Sequence, residues 1–228
     1  MLLMVGLGAV VGPATSDYVA RGLATATKRS ASVVILRMDT PGGLDTSMRE
    51  IIRAILASPV PVLTYVHPSG ARAASAGTYI LYATHVSAMT PGTNLGAATP
   101  VSLGGGMPTP GREDDQRDKS KKGNDEKAKP GPPRDAMEIK VINDAVAYIR
   151  SLAEMRERNA DWGEKAVREG ASLAARDALD QKVIDIVARD IDDLLAQAHG
   201  RTVTVGSGKV TLDTKNLTLE SFAPDWRT

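Results

Sequence analysis

A serine set among very small residues is the strongest candidate for chemistry in this sequence. Ser75 lies in the stretch Ala-Ala-Ser-Ala-Gly at positions 73–77, where a substrate backbone could approach the hydroxyl closely. A helix is predicted to begin at or just after Ser75, so developing negative charge would face its positive end, with the N–H of Ala76 as one oxyanion donor. The alternative is a small packing or capping residue, since the G-x-S-x-G turn of hydrolases is matched only loosely.

A glycine pair upstream could supply the second oxyanion donor. Gly42 and Gly43 end the stretch Asp-Thr-Pro-Gly-Gly at positions 39–43, which follows an apolar run. Glycine lets the backbone turn its N–H inward because no Cβ stands in the way. The same three residues, Pro-Gly-Gly, also form ordinary turns, so this alternative stays open.

Lys140 is the candidate base for the serine. It lies near the start of a predicted helix, and an amine accepts a proton only in its neutral form, which the helix dipole and burial beside Ser75 would favour. None of the histidines, His67, His85 and His199, has an evident acidic partner in the sequence. A solvated surface lysine is the alternative.

The surrounding periodicities predict the elements that must position these residues. Continuous apolar runs indicate strands at 32–38, 62–66, 86–89 and 183–187, and helical spacing recurs between them. Such alternation is typical of parallel βαβ units, so an α/β fold with a parallel sheet and flanking helices is expected. A helix capped by Thr15 or Ser16 is predicted to end near Lys28, and 136–153 outlines one face of a long helix.

Composition excludes several classes of function. The chain has 228 residues, 42% of them hydrophobic, and a net charge of +1 with basic and acidic residues interspersed, so one sizeable core is expected and nucleic-acid binding is not. The absence of cysteine excludes thiol catalysis and disulfides. Only three histidines occur, without HExxH spacing, so neither a metal nor another cofactor is predicted.

The two ends and one internal tract differ from the rest of the chain. The apolar opening at 1–13 fits a buried first strand or, without a basic flank, a signal-peptide core. Residues 103–135 are rich in Pro, Gly and charge and are expected to form a disordered insertion within a domain spanning 1–200. Residues 201–228 are expected to form a tail with a small β-hairpin, because apolar and polar residues alternate on either side of a glycine turn.

Three motifs in order resemble the NfeD-type membrane-bound serine proteases of the Clp peptidase clan. These are the stretches at 39–43 and 73–80 and the stretch Pro-Gly-Thr-Asn-Leu-Gly-Ala at 91–97. The resemblance implies a Clp/crotonase-like ββα superhelix and a Ser-Lys dyad formed by Ser75 and Lys140. It also implies an oxyanion hole from Gly43 and Ala76, and strand addition of a peptide along Gly42 and Leu44.

The same resemblance implies a setting for the enzyme. It suggests a homodimer that needs no cofactor and cleaves extended hydrophobic segments, for example of a stomatin-like membrane partner. It also suggests a membrane-associated full-length protein in which the tail at 201–228 leads toward a membrane segment. Its protease domain would be extracytoplasmic, which is periplasmic in a two-membrane bacterium. Two alternatives share the fold: a crotonase-type acyl-thioester enzyme and a non-catalytic binding scaffold.

Overall fold

The apolar runs of the sequence form the strands at the centre of the fold. The computed structural model describes residues 1–100 and 136–223. Its strands, in chain order, are β1 (Leu2–Leu7), β2 (Val33–Met38), β3 (Val62–Val66), β4 (Arg72–Ala74), β5 (Val86–Met89), β6 (Asn94–Gly96), β7 (Ser172–Ala174), β8 (Ile186–Val187), β9 (Thr202–Val205), β10 (Gly208–Thr211) and β11 (Leu219–Phe222).

Helices connect these strands in the alternating pattern that the periodicity predicts. They are α1 (Pro13–Lys28), α2 (Asp45–Ala57), α3 (Ala76–Ala83), α4 (Ala136–Met155), α5 (Ala160–Arg168), α6 (Ala175–Asp180) and α7 (Ile191–Ala198). Helix α2 ends before Pro59 and Pro61, where proline cannot donate to a helical carbonyl. The predicted insertion at 103–135 lies outside the described residues.

The larger sheet of the described residues is parallel throughout. Its order is β11-β1-β2-β3-β5-β8, and residues of β2 pair in register with β3, for example Leu36 with Thr64. Strand β3 is buried at every position, which is why its sequence is a continuous apolar run rather than an alternating one. The predicted α/β class with flanking helices is confirmed.

Both faces of this sheet are covered. One face packs against α1 to α5 through a core that includes Leu36, Ile51 and Ile80. The other face carries Ile35 and Leu63 and packs against Leu194 of α7. Because both faces of the sheet are buried, a site is expected where the loops meet at the carboxyl ends of the strands, as in other parallel sheets.

A second, three-stranded sheet lies beside these carboxyl ends. Its order is β4-β6-β7, with β4 and β6 parallel and β7 antiparallel to β6. Isolated bridges join Thr40 to Ala73 and Val11 to Gly43. The loops after β1 and β2 are thereby tied to the strand that leads into α3.

The structure corrects three details of the sequence analysis. Helix α1 begins at Pro13 with Gly12 as its cap, not at Thr15 or Ser16, because proline at the first helical position needs no N–H partner. The strand predicted at 183–187 is limited to β8. Besides the hairpin of β9 and β10, the tail contributes β11, which pairs with β1 at the edge of the larger sheet.

Buried His85 makes the stability of the fold depend on pH. Its Nδ1 accepts a hydrogen bond from the N–H of Val62 at 3.0 Å, and burial, reinforced by the charge of Arg156, lowers its pKa from 6.5 to about 4. Below about pH 6.5 the unfolded chain binds a proton that the folded protein excludes until about pH 4. We expect the free energy of unfolding to fall by on the order of 3 kcal/mol across this window.

Urea unfolding between pH 4 and 8 measures this effect. The variant His85→Gln keeps an acceptor for Val62 but cannot titrate, so it should lack this part of the pH dependence. Identical pH slopes for the two proteins would show that His85 does not contribute.

Candidate active site

Ser75 occupies a strained turn between β4 and α3. Its backbone has φ 53° and ψ −118°, an unusual conformation for a residue with a side chain. The turn is held by two hydrogen bonds: the N–H of Ser75 donates to the carbonyl of Gly96, and its carbonyl accepts from the N–H of Thr78, both at 2.9 Å. The Ser75 hydroxyl makes no capping bond to α3, so it is free to act as a nucleophile.

The glycine pair lies directly against this serine. Gly42 has φ +110°, and a Cβ added there would lie 2.5 Å from the Cβ and 2.9 Å from the Oγ of Ser75. A side chain at position 42 would therefore displace the serine. The fold brings together the two motifs that the sequence predicts to cooperate, and glycine is required by this close approach.

Two backbone N–H groups beside Ser75 are without partners. Within residues 1–100 and 136–223, neither the N–H of Gly43 nor that of Ala76 is hydrogen-bonded. Ala76 is the first residue of α3, so its N–H also lies at the positive end of that helix. Both groups are available to a developing oxyanion, as the sequence analysis predicts.

The loop after β1 fixes the position of Gly43. The N–H of Val11 donates to the carbonyl of Gly42, and the N–H of Leu44 donates to the carbonyl of Val11, both at 2.8 Å. A Cβ at Gly43 would lie 2.0 Å from the carbonyl oxygen of Val11, so this close contact also requires glycine. The N–H of Gly43 points away from Val11 as a result.

These contacts alter the expected role of Gly42 and Leu44. Strand addition along their backbones is predicted, yet the Gly42 carbonyl and the Leu44 N–H already bond to Val11, and the Gly42 N–H donates to Thr40 Oγ1 at 3.1 Å. A peptide on the opposite side of this segment would meet Gly43 instead. Among the described residues, neither the N–H nor the carbonyl of Gly43 has a partner.

Two threonines that the sequence analysis left without a role shape the site. Buried Thr40 donates from Oγ1 to the carbonyl of Ala9 at 2.7 Å while accepting from Gly42. Buried Thr78 accepts from the N–H of Gly96, and its single O–H lies within hydrogen-bond distance of the carbonyls of Ala73 and Gly96, at 2.9 and 3.0 Å. Both threonines belong to the motifs, but nothing in their spacing indicates these contacts.

Lys140 lies on α4 and is exposed. Its amine makes no hydrogen bond with Ser75, and in the described part of the chain it has no ion-pair partner. One turn further along α4, Asp144 pairs with Arg49 of α2 at 2.6 Å. About two turns beyond Lys140, Tyr148 stacks on Tyr79 of α3 with ring centroids 6.2 Å apart. Helix α4 is therefore anchored to both helices that follow the catalytic motifs.

The histidines are occupied elsewhere. His67 Nδ1 lies 3.1 Å from Thr90 Oγ1, and His85 accepts from Val62. His199 Nδ1 accepts from the N–H of Thr214 at 3.3 Å and lies 3.5 Å from Asp213, because the tail folds back onto α7. None of the three is hydrogen-bonded to Ser75.

No metal site accompanies these residues in the part of the chain that the structure describes, where no cluster of three potential ligands occurs. Among the helices within 1–100 and 136–223, none is both long and apolar enough to cross a bilayer. What the site offers is a hydroxyl at a helix start with two free N–H donors beside it.

The fold defines the class to which the protein belongs. The protein combines a parallel sheet with a second, smaller sheet, and a strand of the smaller sheet ends at the serine that precedes a helix. This is the Clp/crotonase-like arrangement expected from the sequence. The chain belongs to the NfeD family: residues 2–122 match the domain described as NfeD1b, N-terminal domain.

Two curated relatives support this assignment. The membrane-bound protease PH1510 of Pyrococcus horikoshii is 36% identical over 215 residues, covering 93% of this chain and 43% of that protein. The membrane protein NfeD1b of Bacillus subtilis is 40% identical over 87 residues, covering 38% of this chain and 19% of that protein. The chain thus spans less than half the length of these relatives.

Solved structures match almost the whole chain. A serine-to-alanine mutant of the protease described as 1510-N membrane-bound stomatin-specific protease superposes with a TM-score of 0.81 at 33% identity, covering 99% of this chain and 98% of that one. A lysine-to-alanine mutant of the same protease, in complex with a substrate peptide, superposes with a TM-score of 0.82 at 32% identity. The match covers 100% of this chain and 94% of that one. The 1510-N membrane protease specific for a stomatin homolog, from Pyrococcus horikoshii, superposes with a TM-score of 0.77 at 30% identity, covering 99% of this chain and 94% of that one.

Proposed function

We propose that this chain is a serine endopeptidase that uses Ser75 as its nucleophile and Lys140 as its base. The observation that carries the proposal is the hydroxyl of Ser75 in a strained turn against Gly42, with the N–H groups of Gly43 and Ala76 beside it, all three without a partner among the described residues. The solved relatives are described as proteases, one of them with a bound substrate peptide, which is the same class of reaction.

The chemistry follows from these groups. Neutral Lys140 takes the proton of the Ser75 hydroxyl as Oγ attacks the peptide carbonyl, and the N–H groups of Gly43 and Ala76 stabilise the resulting oxyanion. The protonated amine then donates to the departing nitrogen as the C–N bond breaks, leaving an acyl-serine. Water, deprotonated by the same lysine, hydrolyses this ester and restores both residues.

This mechanism requires the start of α4 to approach Ser75. Arg49 anchors that region: its Nη2 lies 2.6 Å from Asp144, its Nε lies 2.9 Å from Asp45, and its guanidinium carbon stands 4.4 Å from the ring centroid of Tyr148. Asp45 is the first residue of α2, directly after the glycine turn. We infer that Arg49 is a positioning residue that holds Lys140 near the oxyanion loop.

Replacing Arg49 with glutamine should therefore lower kcat about tenfold while leaving KM nearly unchanged. The physical reason is that α4 loses its charged contact with α2, and a small displacement of a base is costly. Steady-state kinetics with the double-mutant cycle of Arg49→Gln and Asp144→Asn test this, since the two changes should not be additive. Arg21→Gln, which breaks the exposed pair with Asp17, is the control and should be silent.

The surface around the glycine turn supports an apolar, extended substrate. Leu44 is 38% and Val10 61% exposed, and both flank the Gly43 segment that could pair with a peptide strand. We propose that strand pairing uses Gly43, with Leu44 contributing its side chain; pairing through the backbones of Gly42 and Leu44 would require release of Val11.

The relatives suggest the setting. Because they are described as membrane-bound and stomatin-specific, we propose a stomatin-like membrane protein as the partner and an extracytoplasmic position for this domain in the full-length protein. We also propose a homodimer, which light scattering of the purified chain tests.

A labelling experiment tests the proposed activity directly. A serine-directed fluorophosphonate should add one phosphonyl group to the wild-type protein and none to Ser75→Ala, as measured by intact mass, and a mixed peptide library should be cleaved only by the wild type. Absence of both labelling and cleavage would favour the binding scaffold, which the lack of a Lys140–Ser75 contact also fits. Absence of labelling together with thioester turnover would favour a crotonase-type enzyme.

A further inference from the structure

A polar cavity of about 250 Å³ lies at the opposite end of the sheet from Ser75. It is bounded by the start of β5, the end of α4, the segment before β8 and the β9 strand of the hairpin. Its polar wall is formed by the side chains of His85, Arg156, Glu157, Asp185 and Arg201. None of these residues belongs to the candidate active site.

The wall of this cavity is dominated by hydrogen-bond donors. Because His85 Nδ1 accepts from Val62, the neutral ring carries its proton on Nε2. Arg156 donates from Nε to the carbonyl of Ala83 and from Nη1 to the carbonyl of Thr204. In the described part of the chain, His85 Nε2 and Arg156 Nη2 have no partner.

Arg201 adds further donors at the edge of the cavity. Its Nε donates to the carbonyl of Gln197 and its Nη2 to the carbonyl of Asp185, while Nη1 has no partner within 1–100 and 136–223. Three side chains that line the cavity, from different elements, thus carry N–H groups without a partner in the described residues.

The acidic residues offset these donors only in part: burial lowers the pKa of Arg156 by more than the charge of Asp185 raises it. Asp185 Oδ2 is engaged by Arg158 at 2.7 Å and by the N–H and hydroxyl of Ser87 at 2.7 and 3.0 Å. Glu157 is exposed at the rim. Burial lowers the pKa of Arg156 to about 10, with the neighbouring charge of Arg158 adding to the effect. The nearby carboxylates therefore do not fully balance the charge of this guanidinium.

We propose that this cavity binds a small oxyanion, either a phosphate or a carboxylate group, through His85, Arg156 and Arg201. Guanidinium groups and a neutral imidazole N–H are the donors that suit such groups. The site is joined to the candidate active site through α3: Arg156 bonds to Ala83 and Arg158 to the carbonyls of Leu81 and Tyr82, at the opposite end of this helix from Ser75.

Titration of the full chain with inorganic phosphate or sodium acetate tests the proposal. At pH 7 and constant ionic strength, the ¹⁵N signal of His85 Nε2 should shift in a saturable way with at least one of the two anions. A response to phosphate alone assigns a phosphoryl ligand, and a response to acetate alone assigns a carboxylate. The absence of a saturable shift with both would overturn the proposal.

Three variants separate the cavity from general charge effects. Arg201→Gln, an exposed change, should weaken binding of the responding anion about tenfold, as expected for the loss of a charged hydrogen bond, and Arg156→Gln should abolish it. Lys209→Gln removes the same charge from the neighbouring strand β10 without touching the cavity and should have no effect. Equal weakening by Lys209→Gln and Arg201→Gln would mean nonspecific screening and would reject the site, even if Arg156→Gln fails to fold.

Discussion

Ser75→Ala should lower kcat for peptide hydrolysis by a factor on the order of 10⁴ to 10⁶, and Lys140→Ala should do the same. The double variant should be hardly worse than either single one, because a nucleophile and its base act as a unit. Lys140→Arg should also fail, since arginine keeps the charge but cannot release a proton in the accessible pH range.

Single-turnover assays on folded proteins measure these effects. Ser151→Ala and Lys165→Ala change exposed residues outside the site and should keep full activity. Substantial turnover by Lys140→Arg would remove Lys140 as the base. If His67→Ala instead silenced a folded enzyme, a histidine-based mechanism would replace the dyad.

Converting either candidate oxyanion N–H to an ester oxygen should reduce turnover by a factor of roughly 10² to 10³. Side-chain substitution cannot test Gly43, because any Cβ there would collide with Val11 at 2.0 Å. Replacing Gly43 with glycolic acid, or Ala76 with lactic acid, removes the N–H and makes the preceding carbonyl, that of Gly42 or Ser75, a weaker acceptor for Val11 or Thr78. Because neither N–H itself has a partner in the described structure, the loss of stability should be limited to these weakened bonds.

The control for this experiment is lactic acid at Ala160. This alanine is also the first residue of a helix, α5, and its N–H likewise has no partner within the described residues. The change should leave both the melting temperature and kcat near those of the wild type. An active, folded protein with the ester at Gly43 would show that this N–H does not stabilise the oxyanion.

Local patterns were sufficient for much of the architecture. The strands at 33–38, 62–66 and 86–89 and the helix following Ser75 were predictable because each carries enough residues for a clear apolar run or period. The resemblance of three motifs pointed to the same fold and to the same candidate residues.

Short and long-range features could not be predicted in this way. Strands β4, β6 and β7 have three residues each, too few to show a period, yet they hold the serine turn. Strand β11 joins β1 from the other end of the chain, where Phe222 packs on Tyr18 and Glu220 pairs with Arg29, and no local pattern predicts these contacts. The bond that Gly96 accepts from Ser75 joins residues whose spacing indicates no contact.

The sequence by itself determined which residues could react: a serine among small residues, a glycine pair and a lysine in a helical pattern. Residue type and local periodicity can be read directly from the order of the residues. Only the tertiary structure decided that Gly42 touches Ser75, that Val11 turns Gly43 outward and that Lys140 stands exposed on α4. These outcomes depend on bridges between segments far apart in sequence, and their geometry arises only when two sheets and the helices between them pack together.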